Sequence, residues 1–304
     1  MSKKNPEIEI LMATYNGERY LEEQINSLLN QTYVNWKLKI RDDNSTDKTL
    51  SIIKNYQKKY PDKIFLMKDM NGNLGAKNSF LELLKNSKAD YVMFCDQDDV
   101  WLDNKIEKTL KKTLEIEDGP TLVHTDLKVV DEKLNLISES FWKFQKIDPK
   151  RKEHNYLIVQ NNITGCTMML NKDLIELSKK NFPNGIMHDW IIAIIASLSG
   201  KIGFISEQTI LYRQHKKNEV GAKGYFKSIL KKVKNISQVK KTMYKTNLQL
   251  KDIYSLIEDE QLKSELKEYS DLLNKNFLKR KTWILRHRYL KYGLLRKISQ
   301  LILF

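Results

Sequence analysis

Short apolar runs alternate with amphipathic stretches through the first 130 residues. Residues 8–15, "IEILMATY", are rich in strand formers, and residues 18–31 follow with Leu21, Ile25, Leu28 and Leu29 at helical spacing. "WKLKIRDD" (36–43) precedes "TDKTLSIIKNYQKKY", with Ser45 or Thr46 placed to cap a helix. "KIFLMKD" (63–69) precedes "GAKNSFLELLKN", and "YVMFCD" (91–96) precedes "NKIEKTLKKTLEI". Strand–helix units in series predict an α/β protein with a mostly parallel central sheet flanked by helices. Beyond residue 120, "TLVHTDLKVV" reads as a strand, "NNITGCTMMLNKDLIEL" as a strand running into a helix, and "HDWIIAIIASLSG" as a helix. "KIGFISEQTILYRQH" is strand-like, and from residue 225 onward the chain reads as helices rich in Lys and Leu.

The ends of the first four strands are polar: "ATYNGE", "RDDNSTD", "KDMNGNLG" and "CDQDDVW". Ligands of parallel α/β sheets bind outside the carboxyl ends of the strands, so these segments locate a site. The last of them is the most telling, because an apolar run leads directly into Asp96, Asp98 and Asp99. Two carboxylates about 4 Å apart repel by roughly 4 kcal/mol at an effective dielectric near 20. A hard divalent cation such as Mg²⁺ or Mn²⁺ relieves that repulsion and joins carboxylates to substrate phosphates. The alternative is a solvated acidic turn in which Asp99 or Asp103 caps the following helix. Asp42 and Asp43 end the second strand and, in a parallel sheet, fall near the acidic turn. Either could accept from a nucleotide's base N–H or ribose hydroxyl, or serve as a helix cap. Thr14, Tyr15 and Asn16 offer a flat ring for stacking and short hydrogen-bonding side chains. Trp101 and Trp190 flank carboxylates, where they would stack on a ligand or fill the core.

In order and interval, "ILMATYNGERYLEEQINSLLNQTY", "RDDNSTDKT", "NLGAKNSF" and "CDQDDVW" resemble glycosyltransferase family 2 over residues 7–222. The later "HDW" and "LYRQH" are most similar to its bacterial rhamnosyltransferase-like members. The resemblance implies a GT-A nucleotide-diphospho-sugar transferase fold and an inverting transfer. It assigns Thr14, Tyr15, Asn16, Asp42, Asp43 and Asp96 to the nucleotide-sugar donor, and Asp98 to the metal ion. Asp189 of "HDW" takes the position of the general base. Arg213 and His215 match the late segment that meets the diphosphate and the metal. The family's usual Ala-Arg-Asn is Ala76-Lys77-Asn78 here, so Lys77 offers charge to a phosphate without the bidentate fork of arginine. "YRQH" also departs from the Q-x-x-R-W pattern of the family's processive synthases, which favours transfer of a single sugar. The implied donor is a nucleotide-diphospho-sugar, with rhamnose the first candidate. The implied acceptor is a saccharide, free or lipid-linked, in bacterial surface polysaccharide synthesis. A non-catalytic binding module of the same fold and a nucleotidyltransferase are the alternatives.

Charge divides the chain. Of the net +15, residues 223–304 carry 20 Lys/Arg against 7 Asp/Glu, or +13, and the remainder is close to neutral. A domain boundary is therefore expected at 222, with a catalytic domain over 1–222 and a basic helical region over 223–304. Residues 281–304, read as one helix, place Trp283, Leu290, Leu294, Ile298 and Leu301 near a single face. That pattern suits an anionic membrane surface, a homodimer contact being the alternative. No nucleic-acid reader motif accompanies the charge, so nucleic acid is not an expected partner. No apolar run reaches the roughly 18 residues of a membrane span, and residues 1–15 lack a signal-peptide pattern. Two cysteines without C-x-x-C spacing read as reduced interior thiols. A location in the cytoplasm, peripheral on the inner face of the membrane, follows. G-x-G-x-x-G, G-x-x-x-x-G-K-[ST] and H-E-x-x-H are absent.

Overall fold

The structure is a computed structural model that describes residues 5–69, 71–180, 182, 184–215 and 236–303. Two units interleave along the chain. The first comprises Met1–Phe141, Thr164–Lys180 and Gly200–Gly221; the second comprises Trp142–Ile163, Asn181–Ser199 and Ala222–Phe304.

The first unit is built on a nine-stranded sheet. Strands β1 (Ile8–Thr14), β2 (Trp36–Asp42), β3 (Ile64–Leu66) and β4 (Tyr91–Cys95) form its parallel half, in the order β3-β2-β1-β4. All five residues of β4 are buried, which is why "YVMFC" reads as a continuous apolar run rather than an alternation. Beyond β4 the sheet is mixed. It continues through β8 (Met169–Asn171), β6 (Thr121–Val130), β9 (Lys201–Arg213) and β5 (Val100–Trp101), with β7 (Leu136–Ser138) paired to β6. The parallel character predicted from the strand–helix units thus covers the first half of the sheet. In the second half, β6 and β9 are the parallel neighbours, while β8, β5 and β7 pair antiparallel. Because β1 lies between β2 and β4, the carboxyl ends of three consecutive parallel strands meet at one edge.

Helices α1 (Leu21–Leu29), α2 (Thr49–Lys59), α3 (Gly75–Lys85) and α4 (Lys105–Ile116) connect the early strands; α1, α3 and α4 each bury one face, and α2 buries Thr49 and Ile53. Neither Ser45 nor Thr46 caps α2. The helix starts at Thr49, whose N–H donates to Asp47 at 2.9 Å, because Ser45 and Thr46 are engaged by Asp42 and Asn16. Asp99 and Asp103 likewise leave α4 without a side-chain cap. Trp101 lies in the core.

Short helices α5 (Phe141–Gln145), α6 (His154–Leu157) and α7 (Lys172–Ser178) precede α8 (His188–Ser199), which belongs to the second unit, is apolar on most of its circumference and is mostly buried. Among the described residues, four C-terminal helices follow: Ile236–Ile253, Glu260–Ser270, Phe277–His287 and Leu294–Leu303. The single helix expected over 281–304 is in fact two. Arg288 (φ 58°) and Gly293 (φ 89°) adopt left-handed backbone between them, which ends the first helix and reorients the second. None of the described helices is long and apolar enough to cross a membrane.

Candidate active site

The ends of β1 and β2 are laced together by side chains. The Thr14 hydroxyl donates to Asp42 Oδ1 at 2.9 Å, and the Ser45 N–H and hydroxyl donate to the same carboxylate at 2.9 and 2.6 Å. Asn16, with φ 47°, donates its N–H to Ser45 and accepts from the Thr46 N–H at 2.8 Å. Asparagine tolerates that left-handed backbone better than most residues. These bonds leave the Tyr15 side chain at the surface, 50% exposed.

Asp43 is buried. Its oxygens accept from the Leu74 N–H at 2.7 Å, the Gly75 N–H at 2.8 Å, and the Arg41 guanidinium. Arg41 also forks onto Asp69 at 2.8 and 3.1 Å and reaches the Gly72 carbonyl at 2.8 Å. Burial opposes ionisation of Asp43, but the bonds from Leu74, Arg41, Gly75 and Ser79 outweigh it and hold the carboxyl below its usual range. Asp43 therefore fixes the loop that enters α3, whose first turn carries Lys77.

The acidic turn after β4 is held from two sides. On the β1 side, the Gln97 amide pairs with the Tyr15 backbone, accepting from its N–H at 2.9 Å and donating to its carbonyl at 3.0 Å. On the β9 side, the antiparallel register Val100↔Leu211 brings the end of β9 against the turn. His215 Nε2 lies 2.8 Å from Asp98 Oδ2. Arg213 is 2% exposed, and each of its guanidinium nitrogens meets the protein. Its N–H donates to Asp99 Oδ1 at 3.0 Å, its Nε to the Asp98 carbonyl at 2.8 Å, its Nη1 to the Glu132 carbonyl at 2.7 Å, and its Nη2 to Glu23. The guanidinium carbon lies 4.5 Å from the Tyr20 ring centroid, and the same ring stacks on His215 at 5.0 Å. Arg213 thus sits beneath the turn as its anchor.

A second cluster lies deeper. Asp96, Asp99 and Cys166 bring one potential ligand atom each within 4.8 Å of one another. Burial first, and then the charges of Asp98 and Asp96, push the Asp99 carboxyl well above its ordinary value. Beside it, Lys105 is fully buried over the Trp101 ring at 4.6 Å, and burial pushes its ammonium down to about 8. The Lys105 ammonium places one positive charge beside these carboxylates. Asp98 and His215 are partly accessible, at 15% and 8% of their side-chain surface. Carboxylate oxygen is the donor that suits Mn²⁺ or Mg²⁺, whereas imidazole nitrogen is the softer donor.

Asp189 belongs to the second unit, in the first turn of α8, where its Oδ1 accepts from the Trp190 N–H at 2.6 Å. The Trp190 indole is fixed to the Leu157 carbonyl at 2.6 Å. Sequence reasoning missed Gln97, Tyr20, Lys105 and Cys166. Gln97 occupies the variable position of D-x-D, and the other three carry no motif, so only their neighbours in space reveal them.

Side-chain-laced strand ends beside an acidic turn, on a half-parallel sheet, fit the GT-A glycosyltransferase fold. The model of the family described as "Glycosyl transferase family 2" matches residues 9–178. The dTDP-rhamnosyl transferase RfbG of Shigella flexneri is 32% identical over 246 residues, covering 77% of this chain and 81% of that one. The Escherichia coli glucosyltransferase WfgD, named as acting on α-D-GlcNAc-diphosphoundecaprenol, is 27% identical over 56% of this chain and 62% of its own length. Among solved structures, S. aureus TarS 1-349 in complex with UDP superimposes with a TM-score of 0.57 at 17% identity, covering 91% of this chain and 78% of that one. The Pyrobaculum calidifontis mannosyltransferase PcManGT, in complex with GDP-Man and Mn²⁺, gives 0.51 at 13% identity, covering 94% and 85%. The chain belongs to glycosyltransferase family 2.

Proposed function

We propose that this glycosyltransferase moves a single sugar, with inversion, from a nucleotide-diphospho-sugar to a saccharide or lipid-linked saccharide in surface polysaccharide synthesis. Rhamnose from a dTDP donor is the first candidate, supported by the relative that shares most of both chains. The observation that carries the reading is the Asp98–His215 pair beside the laced ends of β1 and β2.

The exposed Tyr15 ring stacks on the nucleobase, and Asn16 and Asp96 face the ribose. Asp42, already bonded to Thr14 and Ser45, keeps that edge in shape. Asp43 and Arg213 act as positioning residues: one orders the loop leading to Lys77, the other the turn that carries Asp98. Lys77 contributes positive charge toward the diphosphate. Asp98 and His215 would hold the divalent ion, Mg²⁺ or Mn²⁺. A bound ion would supply charge neutralisation for the departing diphosphate.

Asp189 is assigned as general base on its motif. The acceptor hydroxyl oxygen attacks the anomeric carbon, the bond from that carbon to the diphosphate oxygen breaks, and the hydroxyl proton passes to Asp189. Such proton transfer is typically worth about 10²–10⁴-fold. The basic C-terminal region brings the enzyme to an anionic membrane surface, where a lipid-linked acceptor resides.

The test is a screen of nucleotide-sugars with Mn²⁺ or Mg²⁺, reading thermal stabilisation and release of nucleoside diphosphate. Stabilisation together with diphosphate release is the expected result. Donor binding without turnover supports a binding module instead, and pyrophosphate released from a nucleoside triphosphate supports a nucleotidyltransferase.

A further inference from the structure

Helix Leu294–Leu303 is packed with its polar side inward. At 100° per residue, Leu294, Leu295, Ile298, Leu301 and Ile302 share an arc of about 120°. Leu294, Ile298 and Ile302 are 72%, 43% and 64% exposed. The opposite side faces protein. Arg296 donates to the Lys146 and Gln145 carbonyls at 2.7 and 2.6 Å. Gln300 is buried, donating to the Tyr289 carbonyl at 2.8 Å and accepting from the Lys291 N–H at 2.9 Å. A helix at a water-facing surface has the opposite arrangement, with apolar residues on the core and polar residues in solvent. The neighbouring helix Phe277–His287 adds exposed Phe277, Leu278 and Leu285.

We propose that this outward apolar face inserts into the headgroup region of an anionic phospholipid surface, a specific form of the membrane reading above, on which it rests. Charge selects the occupant. Residues 272–304 hold nine Lys/Arg and no Asp/Glu. A second copy of the chain would set the same cations against one another, whereas acidic headgroups neutralise them. Apolar side chains on one side and flanking Lys and Arg are what an in-plane interfacial helix requires. The fixed Arg296 and Gln300 hold the leucines outward before any membrane is met, so little ordering remains on binding.

The experiment is co-sedimentation of the full chain with phosphatidylcholine vesicles, with and without phosphatidylglycerol. The parent binds the phosphatidylglycerol vesicles and not the neutral ones. The triple variant Leu294→Ser, Ile298→Ser, Ile302→Ser binds at least about tenfold more weakly, because the buried apolar area is lost. Its thermal midpoint and its nucleoside-diphosphate binding stay at parental values. In an Ile298→Trp variant, tryptophan emission shifts to the blue on the same vesicles and is quenched by brominated lipid. Parental binding by the triple variant overturns the assignment of the helix face while leaving the membrane reading in place. Absence of vesicle binding by the parent overturns both. A parent that is a dimer by light scattering, converted to a monomer by the triple variant, makes a second copy the occupant and overturns the proposal.

Discussion

His215 Nε2 lies 2.8 Å from Asp98 Oδ2, across 117 residues of chain. The antiparallel pairing of β5 with β9 carries one residue to the other, and Arg213, two positions earlier, fastens the backbone on both sides of the contact. Tyr20 closes the arrangement by stacking on the imidazole.

If this pair holds the ion, Asp98→Asn and His215→Ala should each weaken Mn²⁺ binding by at least the roughly 10–100-fold that loss of an outer-shell partner costs. Electron paramagnetic resonance titration of Mn²⁺ in the presence of a nucleoside diphosphate measures this directly. Parental affinity in both variants would move the ion to another set of ligands.

Asp189→Asn should lower kcat by about 10²–10⁴-fold while leaving the donor dissociation constant unchanged. Single-turnover kinetics separate the two quantities. Loss of donor binding would instead give Asp189 a structural part at the start of α8.

Gln97→Ala removes two hydrogen bonds to the Tyr15 peptide. At about 1 kcal/mol each, their loss should raise the donor KM by up to about thirtyfold, with kcat little altered. An unchanged KM would show that the Tyr15 backbone holds its place without the amide.

Arg41→Met leaves Asp43 buried without its guanidinium partner and frees Asp69. Breaking a buried pair in this way costs about 3–5 kcal/mol, visible as a lower urea midpoint. A loss below about 1 kcal/mol would place the pair among those that contribute little.

Acid should destabilise the protein well before its carboxylates titrate. Burial holds His124 and His188 down to about 3, against 6.5 for a solvated imidazole. Between those values the unfolded chain takes up protons that the folded chain does not, so stability falls as pH is lowered through 6.5 toward 3. At pH 5 each histidine accounts for about 2 kcal/mol. Urea midpoints compared at neutral pH and at pH 5 check the sign, and His124→Gln should flatten the profile.

The boundaries of β1, β2, β4 and β6, and of α8 and β9, are readable in the sequence to within a residue or two. The reason is that each buries a continuous run or a regular face, and such periodicity is written locally. The acidic turn was legible for a different reason: three carboxylates after an apolar run have few structural explanations. Arg213 shows where this kind of reading ends. Its motif suggests a phosphate, yet its guanidinium is spent on two carbonyls and Glu23, none of them near it in sequence. The break between the last two helices was equally hidden, since Arg288 has no intrinsic preference for the left-handed backbone it adopts.

By itself, then, the chain determined its family, its strand–helix order and the sheet edge where its acidic residues gather, because apolar periodicity and charge spacing are local properties. Only the tertiary structure decided that Asp98 meets His215, that Asp43 and Arg213 serve as fasteners, and that helix Leu294–Leu303 turns Leu294, Ile298 and Ile302 outward. Each of those outcomes depends on which distant donor or carbonyl satisfies a polar group once water has been removed, and such partners are chosen by the packing of the whole chain.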